Sequence, residues 1–230
     1  MQVYIGTSGW SYFWNPKKNL QWYVDNTPFN AVEVNSTFYR FPFESYIKSW
    51  SKFGDRLRFV IKVHRSITHI HKLNEQAKGD WQKFKGYFEP LDNFIDFYLF
   101  QMPPSFRSEN LDRVIDFAKF TSLGERFAFE PRDKDWFKEE IYEKLRENKI
   151  TFVSVNAPTL PDDLILTTSS LYVRFHGKEK WYSYVYSEEE LKEYVNKIKK
   201  ISPQKVYIFF NNDTGMLPNG KLMVELFSKL

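Results

Sequence analysis

The feature that most constrains the fold is a repeat: short β-branched and aromatic runs, each followed by turn chemistry and usually by a helical pattern. The runs lie at Val3–Ser8, Ala31–Asn35, Leu57–His64, Phe97–Gln101, Phe127–Glu130, Thr151–Asn156, Leu171–His176 and Val206–Asn211. Their length and residue types read as buried strands. Amphipathic segments of helical length separate them at Ser45–Phe53, Trp81–Phe88, Ser108–Ser122, Trp136–Glu147, Glu188–Ile201 and Leu217–Leu230. In the third of these, Leu111, Val114, Ile115 and Ala118 follow the spacing of a helix lying on a sheet. The pattern is weakest around Leu20–Val24 and between the sixth and seventh runs, where Pro158 and Pro161 leave little room for a helix. Alternation of this kind predicts a parallel sheet. Eight units predict closure into a single (β/α)8 TIM-type barrel, an α/β domain spanning residues 1–230.

Alternate residues of a strand face opposite sides. One parity is apolar: Val32/Val34, Ile61/Val63, Phe127/Phe129, Val153/Val155, Val173/Phe175 and Ile208/Phe210. It suits a face packed on helices. The other carries Glu33/Asn35, Lys62/His64, Leu99/Gln101, Ala128/Glu130, Ser154/Asn156, Arg174/His176 and Phe209/Asn211, with polarity gathered at the C-terminal strand ends. A lumen that turns polar toward its top is predicted, and active sites of such barrels sit at that end.

Composition excludes several classes. With no cysteine, disulfides, thiolate metal sites and a cysteine nucleophile are ruled out. The start reads as a strand without a basic leader, and no apolar run nears the roughly 18 residues that span a bilayer. The expectation is a cytoplasmic protein with no membrane partner. A net charge of +4 allows an anionic ligand without favouring nucleic acid, whose binders are usually more basic. Aromatic residues make up 19% of the chain, including seven Trp, more than a core readily absorbs because each indole N–H needs a partner.

The motifs along the chain resemble the YecE-like family, also known as domain of unknown function 72. The matching stretches are Gly6–Tyr12, Val32–Arg40, Lys62 with Ile67–His69, Gln101–Phe106, Glu130–Arg132 with Trp136, Val173–Gly177 and Phe210–Asp213. They span nearly the whole chain in the family's order. The resemblance implies a TIM-type barrel and no established activity. Met102 stands where the family pattern has Phe. Pro131 interrupts the Glu-x-Arg-His segment and Asp133 replaces its His, so no role for a histidine there carries over.

Glu33, His64, Glu130, His176 and Asp213 are residue types that bind divalent metals. Two cations in the same lumen, Lys62 and Arg174, argue against a metal, and no local ligand motif is present; no metal ligand is assigned. A structural alternative is an ion-pair network, Glu33 with Arg174 and Glu130 with Lys62. It leaves the amides Asn35, Gln101, Asn156, Asn211 and Asn212 without a role, and such groups suit a polyhydroxylated or heterocyclic ligand. Trp10, Tyr12, Tyr39, Trp136 and Trp181 fall in loops after strands, where aromatic faces would meet a sugar ring or base. Ser8, Thr37, Arg40 and Arg132 join them as binding candidates, the arginines for phosphate.

Glu33, Glu130, Lys62, Arg174, His64 and His176 are the catalytic candidates. The carboxylates would act as acid, base or orienting groups and the cations would stabilise negative charge. His69 and His71 are further acid–base candidates or loop caps. No nucleophilic triad or P-loop is legible, and no motif identifies a cofactor. The leading expectation is an enzyme-like barrel for a sugar- or nucleotide-like ligand. Metal-assisted phosphodiester cleavage, by analogy with endonuclease IV-like barrels, and a non-catalytic binding module are the alternatives.

Overall fold

Every strand run forms a strand. The computed structural model describes residues 1–229, and eight parallel strands close into a barrel in sequence order. They are β1 (Gln2–Thr7), β2 (Ala31–Val34), β3 (Arg58–Lys62), β4 (Ile95–Gln101), β5 (Phe127–Glu130), β6 (Thr151–Asn156), β7 (Ser170–Phe175) and β8 (Lys205–Phe210). No end departs from the sequence reading by more than two residues. Closure runs through β1 and β8, paired in register from Gln2 opposite Lys205 to Thr7 opposite Phe210. The β1–β2 approach requires glycine, because a Cβ on Gly6 would lie 2.0 Å from the Ala31 carbonyl oxygen.

The outer helices are α1 (Leu20–Asn26), α2 (Glu44–Ser51), α3 (Glu75–Gly86), α4 (Leu111–Thr121), α5 (Glu139–Glu147), α6 (Glu188–Ile201) and α7 (Met216–Ser228). α6 has the predicted bounds because a capping box fixes its start: Ser187 accepts from the Glu190 amide, and Glu190 accepts from the Ser187 amide. α3 starts well before Trp81, since Asn74 accepts from the amides of Gln76 and Ala77 and caps a turn that has little apolar pattern. α5 starts after Trp136, which lies instead in a single 3-10 turn, Lys134–Trp136.

No helix joins β6 to β7. An irregular strap replaces it and packs Leu164, Ile165 and Leu166 on the outer core. The strap has little internal backbone hydrogen bonding, so side chains supply partners. Ser154 Oγ accepts from the Ile165 amide at 2.8 Å, and Thr167 Oγ1 accepts from the Phe152 amide at 2.8 Å. This corrects the facing of β6. Val153 and Val155 point into the lumen, while Ser154 and Asn156 point outward. Polarity on β6 serves the strap, not the lumen.

The core has two parts. The larger lies between strands and helices and includes the predicted apolar parity of the other strands. The smaller fills the lower lumen with Val60, Phe97, Leu99, Tyr172, Tyr207 and Phe209, with Tyr4 stacked on Tyr207. A filled lower lumen confines any site to the upper end, where the strands stop. No helix among the described residues is long and apolar enough to cross a membrane.

Candidate functional site

Five lumen-facing positions at the upper strand ends form one buried network. Glu33 on β2, Glu130 on β5, Arg174 on β7 and His176 just past β7 are all fully buried, and Ser8 just past β1 is nearly so. Arg174 is the bridge. Its Nε donates to Glu33 Oε1 and its Nη2 to Glu33 Oε2, both at 2.7 Å, while its Nη1 donates to Glu130 Oε2 at 2.6 Å. The Tyr172 hydroxyl donates to Glu33 Oε1 at 2.6 Å, and the Ser8 hydroxyl donates to Glu33 Oε2. A planar guanidinium forked onto one carboxylate and linked to a second supplies charge-assisted hydrogen bonds to both buried groups at once.

The expected pair of Glu130 with Lys62 does not form. Arg132 takes that place, with Nε 2.5 Å from Glu130 Oε1 and its guanidinium 4.8 Å from the centre of the Trp181 ring. Burial pushes the Glu130 carboxyl up, but Arg132, Arg174 and Lys62 together outweigh it and hold it below its ordinary value. Against the cost of burial, Glu130 and Glu33 hold Arg174 well above its ordinary value.

Lys62 is left over. It ends β3 inside the lumen, keeps partial exposure, and makes no ion pair or hydrogen bond through Nζ among the described residues. Its Nζ lies 4.4 Å from the centre of the Phe38 ring. Burial, then Arg174, push its ammonium down to about 7 against the pull of Glu130.

His176 is neutral: burial, Arg132 and Arg174 drive its pKa well below 6.5. Its Nε2 faces Arg132 Nη2 at 3.3 Å and Arg174 Nη1 at 3.4 Å, and lies 3.8 Å from Glu130, beyond hydrogen-bond reach. Two donors facing Nε2 require the ring proton on Nδ1. Asn211 Nδ2 lies 3.2 Å from Nδ1, and with the ring proton on Nδ1 the Asn211 amide has to be turned over to bring its oxygen there.

The remaining candidates divide. Asn35 donates to the Ser8 carbonyl at 3.0 Å, and its own Oδ1 is buried without a partner. The Tyr12 hydroxyl donates to the same carbonyl at 2.9 Å. Gln101 ends β4 beside Glu130 and is half-buried. Tyr39 stands 68% exposed on the rim.

Others lie elsewhere. Asn156 faces outward, donating to Tyr194 at 2.8 Å and Asp162 at 2.9 Å and accepting from Tyr186. Trp136 is core: its indole donates to the Phe106 carbonyl at 2.7 Å and stacks on Phe106. Thr37 is buried, with Oγ1 2.7 Å from the carbonyls of Val34 and Lys62, so it ties β2 to β3. Asn212 is buried under the loop after β7, donating to the Tyr184 carbonyl and to Asn219. His64 turns to Ser66 and the Phe41 ring, and Asp213 sits past β8 with left-handed backbone, φ 42°. Among the described residues, no three His, Asp or Glu side chains are grouped to hold a metal.

Beside the network opens a cleft of about 750 Å³ between the loops after β1 and β2 and helices α1 and α2. Ser8, Asn35, Trp10, Tyr12 and Arg40 line it together with Lys18, Gln21, Tyr46, Trp50 and Lys52, and no acidic residue does. Two other concavities lie away from the C-terminal strand ends, one along α2 and α3 and one at the N-terminal end of the barrel. Sequence reasoning missed Tyr172, although it shares the parity of Arg174. It also missed the wall from α1 and α2, because nothing in a helix pattern tells which exposed lysine overhangs a cleft.

The model of a family described as "Protein of unknown function DUF72" matches residues 4–220. A DUF72 family protein from Thermotoga maritima is similar at 30% identity with a TM-score of 0.86, each chain covered in full. A DUF72 family protein from Enterococcus faecalis, at 20% identity, shares the fold with a TM-score of 0.87, over 99% of this chain and 96% of that one. No curated protein matches the chain.

Proposed function

The chain belongs to the DUF72 family of proteins of unknown function, and we propose that in this member the barrel mouth binds a small anionic ligand with a sugar- or nucleotide-like body. The observation that carries this is the lining of the cleft beside Ser8: Lys18, Arg40 and Lys52 with no carboxylate. Concentrated positive charge in a concave site raises the local concentration of anions. The faces of Trp10, Tyr12 and Tyr46 suit a ring, and Asn35 offers an unpartnered acceptor to a hydroxyl or amine. Ser8 links this cleft to Glu33 and so to the charged network.

An enzymatic role would use the network as a preorganised wall, with Arg174 fixing both carboxylates and Arg132 backing Glu130. A specific observation favours the non-catalytic alternative: Glu33 has both oxygens fully engaged and is out of contact with solvent. Glu33 is therefore a positioning residue in either reading.

Tryptophan fluorescence tests the proposal, because Trp10 and Trp50 line the cleft. Nucleoside monophosphates and sugar phosphates are expected to give saturable changes that their unphosphorylated counterparts do not. Arg40→Ala combined with Lys52→Ala is expected to weaken binding about tenfold or more, two charge-assisted contacts being removed. Equal response to neutral and phosphorylated compounds would sink the proposal. Steep salt dependence with single-stranded DNA as the preferred ligand would replace it with a nucleic-acid reading.

A further inference from the structure

Lys62 has the attributes of a reactive amine, and its Nζ makes no hydrogen bond or ion pair among the described residues, only a contact with the Phe38 ring. The Glu33–Arg174–Glu130–Arg132 network balances its charges without it, two carboxylates meeting two guanidiniums, although Glu130 Oε1 and Arg132 Nε make an ion pair without a hydrogen bond. Its backbone, in contrast, is held: β3 pairs it with Leu99 of β4, and Thr37 Oγ1 reaches its carbonyl at 2.7 Å. The side chain runs along the Phe38 ring with Nζ partly open to the mouth.

His69 meets the same ring from another side, edge-on at 4.8 Å. It lies on a π-helical turn, Ser66–Ile70, an irregularity frequent at functional sites. Its Nδ1 is engaged by Thr68 Oγ1 at 2.9 Å, which leaves Nε2 free to exchange a proton. Of the two arginines beside this group, Arg174 spends its guanidinium on Glu33 and Glu130, and Arg132 is the one placed to meet a ligand with negative charge.

We propose that Lys62 is a nucleophilic amine that forms a reversible imine with a carbonyl compound bearing a phosphate or carboxylate, with His69 relaying protons. The proposal rests on the anionic-ligand reading of the mouth. The unprotonated Lys62 nitrogen attacks the carbonyl carbon, and the C=O π pair moves to oxygen. One proton passes from nitrogen to that oxygen through His69, giving a carbinolamine. The nitrogen lone pair then forms the C=N bond as the hydroxyl departs with the second nitrogen proton. One water leaves, both its protons come from the amine, and no oxidant or reductant is needed.

The electrostatics agree with that geometry. Burial and the neighbouring Arg174 bring the Lys62 ammonium to about 7, so roughly half of it is unprotonated at pH 7, against about one part in 3000 for an ordinary lysine. Burial, then Lys62 and Arg132, bring His69 to about 4, so at neutral pH it is an uncharged imidazole that can hand a proton on without keeping it.

Pyridoxal 5′-phosphate, an anionic aldehyde, is the probe. The whole protein is incubated with one equivalent at pH 7, reduced with sodium borohydride, and mapped by peptide mass spectrometry. Label at Lys62 is expected to exceed that at any other lysine about tenfold or more. Lys62→Arg, which keeps the cation, is expected to lose it, and His69→Gln to slow it. Label spread over surface lysines without excess at Lys62 overturns the imine. Pyridoxine 5′-phosphate, which lacks the carbonyl, separates the two readings: saturable binding of it without Lys62 labelling overturns the imine alone. Failure of both overturns the anionic-ligand reading as well.

Discussion

The barrel holds the same three groups at both ends, an arginine, a carboxylate and a tyrosine, and uses them differently. At the N-terminal end, Arg58 Nε lies 3.0 Å from Asp96 Oδ1, and the Tyr207 hydroxyl donates to Asp96 Oδ2 at 2.8 Å. The Arg58 and Asp96 side chains keep 30% and 14% exposure. At the C-terminal end, Arg174, Glu33 and Tyr172 repeat the arrangement with no exposure. The lower unit is closed and neutral, next to water. The upper one continues into Glu130, Arg132 and His176 and leaves Lys62 unpaired. A barrel that needed only to be stoppered would gain nothing from the upper version, because burying extra charge costs more than packing apolar groups. The excess marks the end where ligand chemistry is expected.

The largest expected difference between the ends comes from deleting each arginine. Arg174→Met leaves buried Glu33 without a cation and Glu130 with Arg132 alone, and is expected to cost about 3–5 kcal/mol in urea denaturation. Arg58→Met removes a partly exposed pair and is expected to cost about 1 kcal/mol or less. Equal costs would show that the upper network holds no special share of stability.

Lys62 gives a pH signature to the upper end. Its ammonium is at about 7 in the folded state against an ordinary 10.5, so the unfolded chain holds more protons between those values. Unfolding free energy therefore rises with pH across that window, by at most about 1.4 kcal/mol per pH unit from this group. Stability of wild type relative to Lys62→Met is expected to improve by about 3 kcal/mol between pH 7 and 10. A constant difference would show that Lys62 titrates normally.

His176 acts in the acid range. Its folded-state pKa is well below 6.5, so the unfolded chain binds the extra proton and stability falls as pH drops below 6.5. His176→Gln is expected to remove up to about 1.4 kcal/mol per pH unit of that slope, read from chemical denaturation at pH 6.5 and 5.5. The smallest contrast is between the tyrosines. Tyr172→Phe removes a wholly buried bond to a carboxylate, about 1.5–3 kcal/mol, whereas Tyr207→Phe at the wetter end is expected nearer 1 kcal/mol.

Much of this was legible in the sequence where a single strand carries its own logic. Glu33, Glu130 and Arg174 were assigned to one lumen because strand parity is local. The same rule failed on β6, where Ser154 and Asn156 face outward to satisfy a strap. Parity cannot tell a polar residue serving a lumen from one serving an irregular connection. Trp136 was placed at the mouth by position alone, but its indole finds the Phe106 carbonyl inside the core.

By itself, the sequence determined the barrel, its strand order and the end at which charge collects, since these follow from periodicity and alternation along the chain. Partners were decided only by the tertiary structure. Arg174 reaches Glu130 across the lumen from β7, Arg132 meets it from two residues past the end of β5, and Lys62 pairs with neither carboxylate. The pairs of Arg174 with Glu33 and Glu130 join segments far apart in sequence, and their distances exist only once the sheet has closed. That closure turned a lysine expected to balance a carboxylate into an unpaired amine at the barrel's mouth.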